Sequence, residues 1–309
     1  MPEQPDILPS WRPGVTRDAV LAFLDAAEAL PVAQRVAAFD NDGTLWCERP
    51  TYVQFDFFAD ALATAAAADP SLHDRPEYAA VLQGDAAAIA ALGLERVAVA
   101  LGELFAGLQP EEFTALVREF MARATHRTLG VPLRFTVYQP MLELLDELRR
   151  RQFTVFIVSG GGTEFVRAIS DDLYDVAPQD VVGTLIAYQF SRDADDRPVL
   201  RRTAQIGSDA NEGEAKVAHI QTHLGRRPIL AAGNSAGDRE MLEWACASDG
   251  ASLALLLDHD DEVREFSYMS VAGTFEETEP IVTVGHRLGW TVVSMADDWS
   301  TVFPAPESS

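Results

Sequence analysis

Residues 36–44 read VAAFDNDGT: four apolar residues run directly into two aspartates, a glycine and a threonine. A continuous apolar run bounded by turn residues is typical of a strand that is buried on both faces of a sheet. Asp40 and Asp42 then fall where this strand ends. Two carboxylates at this spacing could bind a cation together, or divide a nucleophilic and a proton-transfer role between them. Gly43 allows a sharp backbone turn, and Thr44 adds a hydroxyl group.

Later apolar runs have the same character. Those at 153–158 and 228–232 end in polar, glycine-rich turns, the run at 253–257 ends in DHDD, and a shorter run lies at 291–295. Helical patterns separate them, so the order predicts an α/β fold with a Rossmann-like parallel sheet and helices on both faces. Ligands of such sheets bind at the carboxyl ends of the strands, where these polar turns fall.

Residues 47–135 differ from the rest of the chain because they are rich in alanine, have helical propensity and contain no strand-like run. We predict a helical cap domain inserted into a core made of residues 1–46 and 136–309. The alternative is that this stretch only extends the core. A second, smaller excursion at 181–202 predicts a β-hairpin with a charged turn.

Composition limits the possible partners. The formal charge is −24 and the sequence pI is about 4.5, which argues against nucleic acid and anionic membranes as partners. A site for an anion would therefore need local cations or a metal. No apolar run approaches the length of a membrane span, and the amino-terminal residues lack the pattern of a secretory signal. We expect a cytoplasmic protein; its oligomeric state is not indicated.

Three further segments carry candidate site residues. Ser159 precedes three glycines, and its hydroxyl with the N–H of Gly160 could hold an anion, although an ordinary helix cap has the same pattern. Lys216 lies in a helical stretch, where a lone lysine is usually a solvated charge. Asn234 and Asp238 follow the run at 228–232 and offer oxygen ligands that suit Mg²⁺.

Taken together, the four segments resemble the haloacid dehalogenase-like hydrolase superfamily, in its phosphoserine phosphatase-like branch. The DNDGT run from Asp40 is similar to the first motif, Ser159 to the second, Lys216 to the third and residues 233–238 to the fourth. The order and spacing of the four agree with the family, and residues 47–135 correspond to its helical cap.

The resemblance implies a mechanism. Asp40 would attack phosphorus and form an aspartyl-phosphate, while Asp42 would protonate the leaving oxygen and later activate water. Mg²⁺ would be bound by Asp40, by the backbone carbonyl of Asp42 and by an oxygen from residues 233–238.

The same resemblance assigns a phosphate-binding set of Thr44, Ser159, Gly160 and Lys216. A carboxylate that attacks a dianionic phosphate meets a repulsion of roughly 4 kcal/mol at about 4 Å and an effective dielectric constant of ~20. In so acidic a chain, Mg²⁺ and Lys216 are the evident local remedies.

The fourth motif departs from the family pattern. It usually begins Gly-Asp, whereas this chain has Gly233 and Asn234, with Asp238 as the only acid. An amide oxygen can bind Mg²⁺ but brings no charge. We predict that Asn234 binds the metal directly and that Asp238 supports it, in a position that could face Lys216, with direct binding by Asp238 as the alternative.

The resemblance also suggests two substrate contacts. Glu48 lies near the place where relatives have an acid that meets a substrate amine, and Arg96 near the place of an arginine that binds a substrate carboxylate. Both could equally be surface charges. They make phosphoserine a candidate among small phosphorylated metabolites.

The predicted function is thus hydrolysis of a small-molecule phosphomonoester. Dehalogenation and phosphotransfer to an alcohol are alternatives on the same fold, and Asp42 argues against the first because cleavage of carbon–halogen bonds needs no acid there. A non-catalytic binding module is a third possibility, which the complete set of Asp40, Asp42, Ser159 and Lys216 disfavours.

Overall fold

The structure is a computed structural model that describes residues 7–305, with the side chains of residues 94 and 95 left out. The outer ends of the two predicted core segments, residues 1–6 and 306–309, lie outside the described part. The strands are β1 (Val36–Phe39), β2 (Thr154–Gly162), β3 (Val181–Thr184), β4 (Ile186–Arg192), β5 (Pro198–Ile206), β6 (Leu230–Gly233), β7 (Leu253–Asp260), β8 (Ser267–Tyr268) and β9 (Thr291–Ser294).

The main sheet has the order β3-β2-β1-β6-β7-β8, and β9 also pairs with β7. All its pairings are parallel except that of β7 with β8. Phe39, the last residue of β1, lies beside Ile157 of β2 and Ala232 of β6. The predicted strands and their parallel arrangement are confirmed, although residues 159–162, expected to form a turn, are the last part of β2. The polar segments at 40–44, 159–162 and 234–238 lie at one edge of the sheet.

Both faces of the sheet are buried, and alternate residues of one strand belong to different apolar clusters. Ala37 and Phe39 pack with residues of the helices Val15–Ala27, Gln139–Arg150 and Thr163–Tyr174, whereas Ala38 packs on the opposite face with residues of the helices Glu214–Leu224, Arg239–Cys246 and Ile281–Leu288. Period-two alternation places successive side chains on opposite faces, and covered faces require apolar residues at every position. This explains why VAAF is apolar without interruption.

The helices are α1 (Val15–Ala27), α2 (Val53–Ala68), α3 (Pro76–Gln83), α4 (Ala86–Leu92), α5 (Leu94–Glu103), α6 (Pro110–Arg123), α7 (Gln139–Arg150), α8 (Thr163–Tyr174), α9 (Glu214–Leu224), α10 (Arg239–Cys246), α11 (Ile281–Leu288) and α12 (Met295–Asp298).

Between β1 and β2 the chain forms helices α2 to α6. Residues of α2, α3 and α5 bury a small apolar cluster of their own, with Leu62, Tyr78 and Leu101 at its centre. Phe57 of α2 instead packs against Phe165 of α8, so the helical segment also touches the core. The division into a core and a cap at 47–135 stays a prediction, with which these helices are compatible.

The hairpin predicted at 181–202 is present, but its limits differ. Residues 181–184 form β3 of the main sheet, and the hairpin itself consists of β4 and β5. The apolar run from Val181 to Phe190 reads as one strand because the break at Leu185 has no glycine or proline to mark it. Within residues 7–305, no helix is both long and apolar enough to cross a membrane.

Candidate active site

The amino group of Lys216 joins the segments that the sequence singled out. Its Nζ lies 2.7 Å from Oδ1 of Asp40, 2.6 Å from Oδ1 of Asp238 and 2.8 Å from the carbonyl oxygen of Val158, the residue before Ser159. The lysine extends from α9, and its partners stand directly after β1, within β2 and in the turn after β6. The edge of the sheet predicted to hold the site therefore brings all four segments together.

Lys216 is also the only lysine in the chain. It is 2% exposed, although lysine is among the residue types most rarely buried. The chain has 24 basic residues, and its one lysine lies in the interior, where a compact ammonium group contacts two carboxylates. The count of lysines is a property of the sequence, so it is a signal that supports a special role for Lys216 independently of the fold.

The charges at this point do not balance. Burial raises the pKa of Asp40 well above its ordinary value, and the negative charge of Asp238 raises it further, against the opposing effect of Lys216. Burial alone would lower the pKa of Lys216, but the two carboxylates outweigh it and raise that pKa, so the amine stays protonated. One ammonium group thus serves two buried carboxylates, and the site has room for more positive charge.

Asp42 is half-buried and points differently from Asp40. Its Oδ1 accepts a hydrogen bond of 2.9 Å from Nε1 of Trp46, and the loop is closed by the amides of Thr44 and Leu45, which donate to the carbonyl of Asn41. Burial raises the pKa of Asp42 from its ordinary value, while the bond from Trp46 opposes the rise. A raised pKa suits a carboxyl group that must give up a proton near neutral pH.

Ser159 is fully buried after the regular part of β2. Its Oγ accepts the N–H of Gly161 at 3.0 Å, and the carbonyl of Gly160 accepts from the hydroxyl of Thr184 at 2.8 Å. A Cβ atom on Gly161 would lie 2.9 Å from Oε1 of Gln54 and 3.2 Å from Oγ of Ser159, so a larger residue there would force these side chains to move. The segment is therefore compact, and the binding of phosphate by Ser159 and Gly160 stays a prediction.

Gln54 is a site residue that the sequence did not reveal. It belongs to α2, and its Oε1 accepts the N–H of Gly162 at 2.9 Å. This places a side chain of the helical segment directly over the glycines after Ser159. One polar residue in an amphipathic helix carries no sequence signal, because only the packing of α2 on the core decides where it points.

Asp238 uses both of its oxygens within the protein. Oδ1 accepts from Lys216, while Oδ2 accepts the backbone N–H groups of Asn234 and Ser235, both at 3.0 Å. Gly233 must be glycine because a Cβ there would stand 2.4 Å from Asp238. Asp238 thus shapes the turn after β6 and holds Lys216.

Asn234 is 3% exposed and faces Asp40 across Thr44. Its Oδ1 lies 3.4 Å from Oγ1 of Thr44, which is in turn 3.4 Å from Oδ2 of Asp40. The amide nitrogen of Asn234 points the other way, toward Oε1 of Glu48 at 3.1 Å and Oγ of Ser270 at 2.7 Å. The amide oxygen is therefore the atom of Asn234 that is directed at the site.

The two predicted substrate residues have different surroundings. Glu48 is 6% exposed and lies within the site against Asn234. Arg96 lies on α5, where its exposed side chain pairs with Glu77 of α3 at 2.6 Å. The structure therefore brings Glu48 to the other site residues and leaves Arg96 on the surface of the helical segment.

A buried group from the carboxyl-terminal part of the chain adjoins Glu48, and sequence reasoning assigned no role to it. Nε2 of His259 lies 2.9 Å from the carbonyl oxygen of Gly43, and its Nδ1 faces Glu265 at 3.4 Å. Glu265 also accepts from the hydroxyl of Tyr138 and from the thiol of Cys47. His259 stands at the end of β7, at the same sheet edge as Asp40, so the rule that placed the other polar turns could have found it.

The donor atoms fit a Mg²⁺ ion. Asp40, Asn234 and the backbone of Asp42 offer oxygen atoms only, which hard divalent cations prefer. Within the described residues, no group of three or more His, Cys, Asp or Glu side chains could hold a metal ion. A site here thus depends on the amide of Asn234 and on a backbone carbonyl, and the excess of carboxylate charge favours a cation.

Comparison with known proteins agrees with this geometry. The family model for haloacid dehalogenase-like hydrolases, HAD, matches residues 37–243, more than half of the chain. No curated protein sequence matches significantly. The crystal structure of a protein of unknown function from Bordetella pertussis Tohama I is similar with a TM-score of 0.52 and 17% identity over 84% of this chain and 98% of that one.

Two solved enzymes show weaker similarity. A cytosolic 5'-nucleotidase IIIB bound to cytidine has a TM-score of 0.45 and 14% identity, over 91% of this chain and 85% of that one. A phosphoserine phosphatase with a phospho-aspartyl intermediate analogue has a TM-score of 0.38 and 18% identity, over 72% of this chain and 86% of that one. The family match spans the ends of β1, β2 and β6 and the lysine between them, and the chain belongs to the haloacid dehalogenase-like hydrolase family.

Proposed function

We propose that the chain is a Mg²⁺-dependent phosphatase that hydrolyses the phosphomonoester of a small metabolite through an aspartyl-phosphate on Asp40. The observation that carries the proposal is the position of Lys216, whose Nζ contacts Asp40, Asp238 and the residue before Ser159 at once. Binding surfaces need no buried ammonium beside a buried carboxylate, whereas a carboxylate that attacks a phosphate does.

In the first step a carboxylate oxygen of Asp40 forms a bond to phosphorus, and the bond from phosphorus to the ester oxygen breaks. Asp42 gives its proton to that oxygen, so the leaving group departs as an alcohol. Asp42 then takes a proton from water, whose oxygen bonds to phosphorus and releases inorganic phosphate and the Asp40 carboxylate.

The remaining residues hold charge and position. Lys216 opposes the rise in the pKa of Asp40 and orients its carboxylate, and Ser159, Gly160 and Thr44 bind phosphoryl oxygens. Asp40, the carbonyl of Asp42 and Asn234 Oδ1 would hold Mg²⁺, which supplies positive charge against the carboxylate and the phosphoryl group. We assign Asp238 the supporting role, because both of its oxygens already have partners.

We further propose that residues 47–135 form a cap that excludes water during the reaction. The bond from Gly162 to Gln54 supports this, because it brings α2 over the segment proposed to bind phosphate. Phosphoserine stays a predicted substrate, and cytoplasmic location stays a prediction. The surroundings of Arg96 lend no support to its predicted contact with a substrate carboxylate.

The test is hydrolysis of p-nitrophenyl phosphate with Mg²⁺ and with EDTA, followed by a panel of phosphorylated metabolites that includes phosphoserine. We expect Mg²⁺-dependent release of phosphate, no turnover by Asp40→Asn, and unchanged turnover by Asp195→Asn, an exposed aspartate in the β4–β5 turn. Turnover that survives Asp40→Asn or chelation would overturn the proposal. Added glycerol separates hydrolysis from phosphotransfer, since a transferase would yield glycerol phosphate in place of inorganic phosphate.

A further inference from the structure

Glu48 lies between two elements that are far apart in sequence, and it contacts the proposed metal ligand. Its Oε1 accepts from the amide nitrogen of Asn234 at 3.1 Å and from the hydroxyl of Ser270 at 2.8 Å. Ser270 in turn accepts from the same amide nitrogen at 2.7 Å. The three side chains form a closed triangle, and all are at least nine-tenths buried.

This triangle determines which way the amide of Asn234 points. Nε2 of His259 lies 3.3 Å from the same amide nitrogen, but it also faces the carbonyl of Gly43 at 2.9 Å, which can only accept, so we assign this Nε2 as a donor that takes no proton from Asn234. The two amide protons of Asn234 therefore go to Ser270 and Glu48. A reversed amide would set its oxygen against the carboxylate of Glu48, two acceptors without a proton between them.

The backbone of the loop after β1 passes over Glu48 and Asn234. Gly43 has a φ of +74°, and a Cβ there would lie 1.9 Å from Nδ2 of Asn234 and 2.9 Å from Cδ of Glu48. The loop that carries Asp40 and Asp42 is thus packed directly against the Glu48–Asn234 contact. Movement of this contact would also shift the loop.

With Glu48 ionised, the Glu48–Asn234 pair carries one negative charge in total. A carboxylate at position 234 would bring an oxygen to within about 3 Å of Glu48 in a buried site, where like charges repel strongly. The amide at 234 and the acid at 48 are therefore matched, since each fits only if the other keeps its present charge. The negative charge that Asn234 lacks is present on its neighbour.

On the basis of the proposed Mg²⁺ site, we propose that Glu48 is a positioning residue that holds the oxygen of Asn234 toward the cation and supplies the negative charge that position 234 lacks. Oε1 of Glu48 is engaged by Asn234 and Ser270, so we assign this carboxylate to Asn234 rather than to a substrate amine. The inference predicts that the negative charge can be moved from position 48 to position 234. A charge at both positions should lower stability, and a charge at neither should weaken Mg²⁺ binding.

The experiment compares Asn234→Asp, Glu48→Gln and the double variant. The first measurement is the thermal midpoint in EDTA, without metal or substrate. We expect Asn234→Asp to melt about 5 °C or more below the wild type because two carboxylates then meet in the interior, and we expect the double variant to recover most of this loss. If Asn234→Asp does not fold at all, we expect the double variant to fold, and this counts as recovery of stability.

The second measurement is Mg²⁺ affinity, from calorimetry and from the Mg²⁺ concentration that gives half-maximal hydrolysis. Glu48→Gln should weaken Mg²⁺ binding by about tenfold with the KM of the ester nearly unchanged, and the double variant should restore the affinity. Glu262→Gln, an exposed acid before β8, is the matched control for loss of one charge and should behave as the wild type.

Additive effects in the double variant, or Asn234→Asp as stable as the wild type in EDTA, would overturn the inference. So would a Glu48→Gln variant that raises KM only for esters with an amine and leaves Mg²⁺ affinity intact. Failure of the proposed function would look different: the wild type would hydrolyse no ester, while the coupling of the two positions in EDTA would remain.

Discussion

Lys216 and Asp40 are 176 residues apart in sequence, and their charged atoms are 2.7 Å apart in the fold. Each is at most 7% exposed, so neither charge is screened effectively by water. Burial of an ion pair costs desolvation free energy that the attraction between the two charges only partly offsets. Apolar residues packed in the same place would give a similar stability. We therefore attribute the pair to the chemistry at Asp40 and expect its removal to affect both activity and folding.

Replacement of this lysine by an apolar residue of similar length tests that view. Lys216→Met leaves Asp40 and Asp238 buried without a cation, and we expect the free energy of unfolding to fall by about 3 kcal/mol or more and hydrolysis to be lost. Urea denaturation followed by circular dichroism measures the first, and phosphate release the second. A variant as stable as the wild type would mean that the two carboxylates are not charged in the native protein.

Chemical labelling tests the burial of the same amine without mutation. Because Lys216 is 2% exposed and its raised pKa keeps it protonated, an amine-reactive ester should modify it far more slowly in the native protein than in urea. Mass spectrometry of the peptide that contains residue 216 reads the extent of reaction directly, since no other lysine exists in the chain. A short lysine peptide in the same tube is the control, and equal rates for the two would contradict the structure.

The packing of the loop after β1 can be tested at Gly43, with Gly84 as the control. Both have positive φ, +74° and +63°, but a Cβ on Gly84 meets open space whereas one on Gly43 meets Asn234 and Glu48. Gly84→Ala should cost about 1 kcal/mol from backbone strain alone, and Gly43→Ala several times as much together with a large loss of activity. Chemical denaturation of the two variants measures the difference, and equal losses would show that strain alone matters at Gly43.

Arg202 links the hairpin to the helical segment. Its guanidinium carbon lies 3.8 Å from the ring centre of Phe113 in α6, and its Nε is 2.5 Å from Glu164 of α8. Arg202→Met should lower the free energy of unfolding by about 2–4 kcal/mol because Glu164 is left unpaired. Arg197→Met removes an exposed charge in the hairpin turn and should change stability by less than about 0.5 kcal/mol. Similar effects of the two substitutions on the urea midpoint would argue against the link.

Acid should weaken the buried group around Glu265. Burial alone would raise the pKa of this carboxyl, but hydrogen bonds from His259, Cys47 and the amide of Phe266 outweigh it and lower the pKa below the ordinary 4.5. A lowered native pKa means that the ionised carboxyl stabilises the fold above about pH 4.5, and that this contribution is lost as the pH falls through the native value. The stability difference between the wild type and Glu265→Gln should therefore be full at about pH 6 and shrink below about pH 4.5 in urea titrations. A difference that does not change with pH would contradict this assignment.

Local sequence was enough for β1, β2, β6, β7 and β9 of the main sheet and for the edge where the site lies. Four apolar residues followed by Asp40 predict a strand and the point at which it ends, because alternation and turn chemistry act over a few residues only. Local sequence did not reveal the boundary between β3 and β4. There, one run of residues contributes a strand to the main sheet and a strand to the hairpin. The run continues through Leu185 without a proline or a charged residue, while the pairing partners differ on its two sides.

The sequence by itself determined the fold class, the family and the identity of the four segments that meet at Lys216, since each follows from residue type and order along the chain. Tertiary structure alone decided that Gln54 covers the glycines after Ser159 and that Glu48 faces Asn234. The physical reason is that such contacts depend on how helices and loops distant in sequence pack, and a single polar residue has the same local pattern whether it faces solvent or a neighbour across the site.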